Sequence, residues 1–209
     1  MAALFQPGEQ SGFRRRQVTI GDTQVLKAQL ARPLLDVSRK HRQIHAIPLL
    51  MPRHLAEFTR SLPDEAATLE LGRDMATGLT PGLVIYLVGE LGAGKTTLVR
   101  GLLRGLGFSG RVKSPTFALI EAYTLSRLYL YHFDFYRFTG SSNPHAFRET
   151  GFSEHFDGQS VCIVEWPERV GGLPPADLTV VLEVAANKAG LGRTARLHAD
   201  SEAGTSCLK

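Results

Sequence analysis

Cysteine and long apolar runs are both scarce in this sequence, and each scarcity narrows the class of protein. The 209 residues include two cysteines, Cys162 and Cys207, and neither belongs to a C-x-x-C pair. Free thiols in a reducing cytoplasm are therefore expected. No apolar run approaches the roughly 18 residues of a membrane span, and the N-terminus lacks the clean apolar segment of a signal peptide. We therefore expect a cytoplasmic protein that has no membrane partner.

Basic residues are concentrated near the N-terminus. Residues 1–60 hold ten Lys and Arg against four Asp and Glu, whereas residues 61–209 hold fourteen against sixteen. The N-terminal part therefore carries +6 and the rest −2, so the net charge of +4 says little about the compact domain and is weak evidence for nucleic-acid binding. We divide the chain into a basic extension at residues 1–55, a compact domain at 56–200 and a tail at 201–209 that is expected to be frayed.

The extension has three competing interpretations. Its first stretch is rich in Gly, Gln and Arg, which favours a poorly ordered tail. Met51 would be a natural start for the compact domain, so the extension can also be an artefact of an upstream start site. A mildly amphipathic, basic segment over residues 23–42 leaves a partner-binding helix as the third alternative.

One stretch of the compact domain carries a phosphate-binding signature. Residues 89–97 have the sequence GELGAGKTT, which fits G-x-x-x-x-G-K-[ST]. The apolar run 83–88 predicts a buried strand before it, and a helix is predicted from Lys95 to about Leu106. Backbone N–H groups of such a loop and helix bind phosphate oxygens, Lys95 can reach the β- and γ-phosphates, and the Thr96 hydroxyl can bind Mg²⁺. The predicted nucleotide-binding residues in this stretch are Gly89, Leu91, Gly92, Ala93, Gly94, Lys95, Thr96 and Thr97. The alternative is a glycine-rich turn without a ligand.

Two acidic residues are candidates to complete this site. Glu165 ends the apolar run 161–164, which predicts a strand that carries it to the carboxyl edge of the sheet. It can hold Mg²⁺ directly or through water, or orient the attacking water. Asp134 ends another predicted strand among aromatic residues, and it can polarise water, hold Mg²⁺ or form a structural pair with Arg137. A surface carboxylate at a strand end is the alternative for Glu165.

Polar and aromatic residues near these acids are further candidates. Ser114 and Thr116 flank Pro115 in a loop and can contact the γ-phosphate, although a capped turn is an equal alternative. Trp166 is the only tryptophan, and it can stack on nucleotide, RNA or a partner protein, with core filling as its alternative. His132 adjoins Asp134, but we expect strand alternation to point the two side chains to opposite faces, so we assign it no role as a base.

The remaining elements complete an α/β pattern. Ser61 and Asp64 resemble a capping box, with Pro63 in the first turn of a helix that runs to about Gly78. Asn143–Pro144 is predicted to start a short helix that Gly151 stops. The predicted strands are residues 117–123, 128–135, 161–164, 178–184 and 193–198, of which the last two are expected to be half-exposed, antiparallel edge strands.

Motifs of two other nucleotide-dependent classes are absent. No D-x-x-G follows the phosphate loop, and Asn187-Lys188-Ala189-Gly190 has Gly where the guanine-reading Asp of N-K-x-D should stand. A small-molecule kinase would usually carry an arginine-rich lid, but the region after Asp134 holds only Arg137 and Arg148. Guanine specificity is therefore not predicted, and kinase activity is left as an alternative.

Four sequence blocks stand in the order and spacing of the TsaE (YjeE) family, and the resemblance covers about residues 61–198. The blocks are residues 89–97 (GELGAGKTT), 112–117 (VKSPTF), 132–137 (HFDFYR) and 164–167 (VEWP). The resemblance implies an α/β, P-loop NTPase-like three-layer fold whose mainly parallel sheet has antiparallel edge strands. It also implies ATP and Mg²⁺ as cofactors. The chain departs from the family in its N-terminal extension and at Phe117, where Tyr is common.

The resemblance also assigns roles to residues. It implies that Thr96 and Glu165 are the Mg²⁺ ligands, and that Asp134 and Trp166 act in hydrolysis and in partner or substrate contact. The residues that it places at the base side of the nucleotide are Glu65 and Gly192. It implies a role beside the TsaD and TsaB proteins, which transfer threonylcarbamoyl to the adenosine next to the anticodon of tRNAs reading codons that begin with A. Contact with tRNA itself is expected to be indirect or weak.

These observations together predict an ATP-binding, slowly hydrolysing accessory protein whose residues 56–200 form a P-loop ATPase domain. Its predicted catalytic residues are Lys95, Asp134 and Glu165. The motifs contain no evident arginine finger, so we expect a weak Mg²⁺-dependent ATPase that its partner complex stimulates. The alternatives are a P-loop small-molecule kinase and a nucleotide-gated binding module without essential hydrolysis.

Overall fold

One mixed sheet of seven strands runs through the part of the chain that the computed structural model describes, residues 55–139, 145–184 and 192–208. The strands are β1 (Ala56–Leu62), β2 (Val84–Val88), β3 (Ile120–Thr124), β4 (Tyr129–Asp134), β5 (Val161–Glu165), β6 (Leu178–Val184) and β7 (Arg193–Ala199). The helices are α1 (Glu65–Ala76), α2 (Lys95–Gly105), α3 (Ala146–Glu149) and α4 (Glu202–Thr205), with 3₁₀ turns at Phe152–His155, Pro167–Arg169 and Ser206–Leu208. The extension predicted for residues 1–55 lies, apart from its last residue, outside the described part.

The strand order places parallel strands in the middle and antiparallel strands at both sides. The order is β1-β7-β6-β2-β5-β4-β3. Strands β6, β2, β5 and β4 run parallel to one another, whereas β7 and β1 continue the sheet antiparallel on one side and β3 on the other. The predicted α/β fold with antiparallel edge strands is therefore confirmed. Because the carboxyl ends of parallel strands meet at one edge, the segments that follow β2, β4 and β5 lie close together.

Helices cover both faces of this sheet. On β5, Val161 and Ile163 belong to a first hydrophobic cluster that includes residues of α1 and α2, whereas Cys162 and Val164 belong to a second cluster with Phe147 of α3. Side chains alternate between the two faces of a strand, so the two clusters lie on opposite faces and the domain has three layers. None of the helices in the described ranges is long and apolar enough to cross a membrane.

Two glycines allow α1 and α2 to pack with their backbones close together. A Cβ atom on Gly72 of α1 would lie 2.4 Å from the carbonyl oxygen of Leu98, and one on Gly101 of α2 would lie 2.2 Å from that of Leu69. Neither side chain would fit unless the helices moved apart. Helix α1 therefore fixes the position of α2, and with it the loop from which α2 begins.

The start of the domain differs from the helix predicted at Ser61–Asp64. Ser61 lies in β1, a strand that we did not predict, and Pro63 lies between β1 and α1. Asp64 caps α1 instead, because its Oδ1 accepts a hydrogen bond from the amide of Ala67 at 2.8 Å. Most side chains of β1 are exposed or half-buried, so this edge strand lacks the apolar alternation that would indicate it.

Two strand predictions need correction. The strand predicted at residues 117–123 begins as a turn, because β3 starts only at Ile120 and Leu119 has a positive φ of 64°. The two late strands pair antiparallel, as predicted, but neither lies at an edge of the sheet. Strand β6 lies between β2 and β7, and β1 forms the edge beyond β7.

The residues after β7 are folded, whereas we expected them to fray. The Ser201 hydroxyl caps α4 by accepting a hydrogen bond from the amide of Gly204 at 3.1 Å. The Ser206 hydroxyl donates to the carbonyl oxygen of Gly78 at 3.1 Å, and Cys207 is only 4% exposed. Contacts with distant residues order this segment, and its local composition does not reveal them.

Two predictions reach residues that the structure does not describe. Helix α3 begins at Ala146 and is followed by Gly151, whose φ of 76° suits a helix end. The predicted start at Asn143–Pro144 lies outside the described residues, as does the segment Asn187–Gly190.

Candidate functional site: a phosphate loop facing two carboxylates

The phosphate loop (residues 89–94) joins β2 to α2 and has the backbone that its glycines allow. Gly92 and Gly94 have φ values of 82° and 104°, and α2 begins directly after Gly94. No side chain caps the start of α2, so the first N–H groups of this helix remain available beside the loop. Such a segment can surround an anion with backbone N–H groups.

Lys95 folds back onto this loop from the first turn of α2. Its Nζ donates to the carbonyl oxygens of Gly89 at 2.5 Å and Glu90 at 3.0 Å, and it lies 3.9 Å from the centroid of the Trp166 ring. Only 4% of Lys95 is exposed. Burial lowers the pKa of its ammonium group, against the opposing effect of nearby carboxylates, of which Glu165 is the strongest. Lys95 thus holds a confined positive charge beside the anion-binding backbone.

Two carboxylates lie side by side at the carboxyl ends of β4 and β5. Asp134 pairs with Glu165 in the strand register, and each is 3% exposed. The Thr96 hydroxyl donates to Oε1 of Glu165 at 2.8 Å. The two residues that the sequence analysis offers as magnesium ligands, far apart in the chain, are therefore in direct contact.

Asp134 is held by the loop between α2 and β3. Its Oδ2 accepts hydrogen bonds from the hydroxyls of Ser114 and, at 2.9 Å, Thr116, and its Oδ1 accepts one from the amide of Tyr136 at 2.9 Å. Ser114 and Thr116 thus do more than cap a turn. The alternative partner, Arg137, instead places its guanidinium 4.5 Å from the ring centroid of the exposed Phe117.

Trp166 connects the second cluster to the site. It packs against that cluster and also faces the site, and it adopts a positive φ of 60°, which is uncommon for a bulky residue. Its ring lies 5.1 Å from that of Tyr136 and 5.3 Å from the guanidinium of Arg169, besides its contact with Lys95. Core filling alone does not describe this position.

A cavity of about 260 Å³ brings most of the predicted site residues together. Its lining residues are Leu91, Gly92, Gly94, Lys95, Thr96, Thr97, Ser114, Thr116, Asp134, Tyr136, Glu165 and Trp166. Gly89 contributes its carbonyl oxygen to Lys95, and Ala93 is completely buried behind the loop. Of the lining residues, only Tyr136 was not among the predicted site residues.

The two residues assigned to the base side of a nucleotide do not line this cavity. Glu65 begins α1 and accepts a hydrogen bond from Arg100 at 3.0 Å. Gly192 is buried directly before β7. The side chain of the next residue, Arg193, lies close enough to the phosphate loop that a Cβ on Gly94 would be 3.3 Å from its Nε. Gly192 is therefore the chain neighbour of a residue that lies beside the phosphate loop, but neither Gly192 nor Glu65 lines the cavity.

His132 is a site residue that the sequence analysis left out. It is completely buried, and its Nε2 lies 2.9 Å from Oε1 of Glu165. The expectation that strand alternation separates His132 from Asp134 is wrong, because residues two apart in a strand share a face and His132 stands two before Asp134. Tyr136 carried no comparable signal, because it follows the strand in a turn.

The donor atoms at this site suit a magnesium ion. Thr96 and Glu165 offer a hydroxyl and a carboxylate oxygen, and Mg²⁺ takes oxygen ligands and usually keeps several waters. Within the described ranges, no group of three or more His, Cys, Asp and Glu residues could hold a metal ion. A magnesium ion here would therefore take most of its ligands from phosphate and water, which is typical of phosphate-loop sites.

The fold and this site define an α/β protein with a P-loop-like fold, in which a glycine-rich loop and two strand-end carboxylates share one cavity. The chain belongs to the TsaE family: residues 62–194, more than half of the chain, match the family model described as threonylcarbamoyl adenosine biosynthesis protein TsaE. The resemblance noted in the sequence is therefore confirmed.

Individual relatives agree with this family. A Haemophilus influenzae protein named tRNA threonylcarbamoyladenosine biosynthesis protein TsaE is 39% identical over 135 residues, which are 62% of this chain and 84% of that protein. A Bacillus subtilis protein of the same name is 40% identical over 124 residues, 59% of this chain and 74% of that protein. Among solved structures, the crystal structure of YdiB from Bacillus subtilis matches with a TM-score of 0.58 and 30% identity, covering 73% of this chain and 92% of that one.

Proposed function

We propose that this protein binds and slowly hydrolyses ATP with Mg²⁺, as an accessory to threonylcarbamoyl modification of the adenosine next to the anticodon in tRNAs reading codons that begin with A. The names of its relatives support the tRNA-modification part. The observation that carries the ATP part is the contact between Thr96 and Glu165, at 2.8 Å, in the cavity that also holds Lys95.

The phosphate groups of ATP would occupy the cavity beside the phosphate loop. The backbone N–H groups of the loop and of the start of α2 would bind phosphate oxygens. Lys95 would exchange its bonds to the carbonyl oxygens of Gly89 and Glu90 for bonds to phosphate. This exchange replaces neutral acceptors with charged ones, which strengthens each hydrogen bond.

Thr96 and Glu165 would hold the magnesium ion. When bound, the ion would neutralise negative charge on the phosphates. Asp134 lies beside Glu165 and is fixed by the hydroxyls of Ser114 and Thr116. It is therefore placed to orient a water molecule, and the Ser114–Thr116 segment is placed to respond to the γ-phosphate.

Slow hydrolysis is expected of the protein alone. No arginine of the described part lines the cavity, so the positive charge that speeds phosphoryl transfer in faster P-loop enzymes is incomplete. We propose that the TsaD and TsaB proteins raise the rate, with Trp166 and the Ser114–Thr116 segment as the contact, and that tRNA is contacted indirectly or weakly. We propose that the protein acts in the cytoplasm, where ATP and tRNA are both present.

Steady-state ATP hydrolysis with and without purified TsaD and TsaB tests this proposal. We expect slow turnover alone and an increase of at least about tenfold with both partners. Fast turnover by the isolated protein, or transfer of phosphate to an acceptor other than water, would contradict it. The variant Glu165→Ala distinguishes an ATPase from a nucleotide-gated binding module. If the variant binds ATP without hydrolysing it, a binding module would still support tRNA modification, whereas a protein that requires hydrolysis would not.

A further inference from the structure

His132 is the one completely buried histidine of the described ranges, and it contacts the proposed magnesium ligand Glu165. It projects from β4 toward the carboxyl end of β5, where Glu165 is 3% exposed. The His132 Nε2 and the Thr96 hydroxyl both meet the same carboxylate oxygen, Oε1, at 2.9 and 2.8 Å. The second oxygen, Oε2, accepts from neither of them.

The surroundings of the ring decide which nitrogen carries the proton. The Nδ1 of His132 is buried and has no hydrogen-bond partner in the described part. With its proton on Nε2, a neutral ring donates to the carboxylate and leaves only a lone pair unpaired at Nδ1. With its proton on Nδ1, the ring would bury an unpaired N–H and turn a lone pair toward a negative oxygen, which costs more free energy. His132 therefore donates from Nε2 to Glu165.

We propose that His132 is a positioning residue that holds the Glu165 carboxylate in the orientation needed for Mg²⁺. This proposal rests on the proposed function of the site. Thr96 is itself a proposed magnesium ligand. Of the two donors to Oε1, His132 is therefore the one that fixes Glu165 without also binding the cation. By occupying Oε1 it leaves Oε2 for the ion or for a water molecule bound to it.

Three substitutions at His132 separate positioning from packing. His132→Gln places an amide N–H near the position of Nε2, whereas His132→Asn places one near Nδ1. His132→Leu fills similar space without a donor. The measurement is the dissociation constant of ADP in excess Mg²⁺ and in EDTA, by calorimetry on the full-length chain, with thermal unfolding to verify that each variant is folded.

The expected result is a loss confined to the magnesium condition. Wild-type protein should bind ADP more tightly with Mg²⁺ than in EDTA. In His132→Leu and His132→Asn this increase in affinity should be about tenfold smaller, which is the usual effect of removing a partner of a metal ligand. His132→Gln should keep most of it, and all variants should match wild type in EDTA.

Other outcomes overturn the proposal in distinguishable ways. If Gln and Asn lose the magnesium gain equally, or if every variant keeps it, His132 does not position Glu165. An equal loss of ADP affinity in EDTA would show a packing role instead. If wild type itself binds ADP without any gain from Mg²⁺, the proposed magnesium site fails, and the role of His132 fails with it. Should the Leu variant not fold, the Gln and Asn pair still decides.

Discussion

At the scale of single residues, the site is built around a charge that is costly to bury. Lys95 is 4% exposed, and burial lowers the pKa of its ammonium group. The charged form is therefore less favourable in the folded protein than in the unfolded chain. The loop carbonyls and the nearby carboxylates offset only part of this cost. Residues at binding sites often trade stability for function in this way.

The variant Lys95→Met tests whether the buried charge lowers stability while it supports nucleotide binding. We expect the variant to bind ADP about 10- to 100-fold more weakly, because it loses charged hydrogen bonds to phosphate. Its stability without nucleotide should equal or exceed that of wild type, because the cost of burying the ammonium group is gone. Calorimetric titration with ADP and urea unfolding at pH 7 measure the two effects. A variant that is clearly less stable than wild type would contradict this account.

The pH dependence of the same pair has a defined sign. The pKa of Lys95 is lower in the folded state than its ordinary value of 10.5, so near that value the unfolded chain binds more protons. Stability of wild type relative to Lys95→Met should therefore improve as the pH rises from neutral toward 10.5. Urea unfolding of both proteins at pH 7 and about 9.5 measures this difference.

Some residues of the site could be predicted because a local sequence pattern indicates them, whereas others reach the site only through the fold. The loop residues and Thr96 could be predicted because a short motif holds all their chemistry, and Glu165 because an acid ends a fully apolar run. His132 was given no role because strand alternation was miscounted, since a residue two positions before Asp134 lies on the same face of the strand. Tyr136 could not be predicted, because it reaches the cavity through a turn after β4. The hydrogen bonds from the Ser114 and Thr116 hydroxyls to Asp134 could not be predicted without the fold, because these two residues lie on a distant loop.

At the scale of elements, the close pairing of α1 and α2 sets where the phosphate loop lies. A glycine in a helix usually weakens it relative to alanine, by about 0.5–1 kcal/mol. Gly101 reverses that rule, because a Cβ there would lie 2.2 Å from the backbone oxygen of Leu69. The helix pair therefore requires glycine at a position where helix propensity alone would favour alanine.

Gly101→Ala should consequently destabilise the protein. We expect a loss of about 1–3 kcal/mol in the free energy of unfolding, the usual range for overpacking a tight contact. Arg104→Ala, at an exposed position of the same helix, is the control and should change stability by no more than about 0.5 kcal/mol. Chemical unfolding of both variants measures this, and a stabilising Gly101→Ala would show that the helices can separate at little cost.

The elements that the sequence predicted poorly are those whose stability comes from distant partners. Strands β2 and β5 are short, apolar and buried, so their composition predicts them. Strand β1 gains its order by pairing with β7 at the edge of the sheet, and few of its side chains are buried. The segment after β7 is ordered through its contacts with Gly78 and through the burial of Cys207, which no local pattern shows.

At the scale of the whole molecule, the first and last strands of the domain are neighbours in the sheet. Strand β1 begins the described part and pairs with β7 near its end. The last described residues join the first cluster through Cys207. The other cysteine, Cys162, lies in the central strand β5 and belongs to the second cluster. The two thiols therefore report on two different regions of one folded unit.

Their reactivity should reflect these positions. Burial raises the pKa of the Cys162 thiol to about 12 and that of Cys207 to about 11, and the thiolate is the reactive form. Neither should react within minutes with a disulfide reagent at pH 8 in the folded protein, and both should react at once in denaturant. Cys207 should react before Cys162, because a terminal segment opens locally whereas a central strand requires global unfolding. Mass spectrometry of labelled peptides distinguishes them, and early labelling of Cys162 would contradict the buried position of β5.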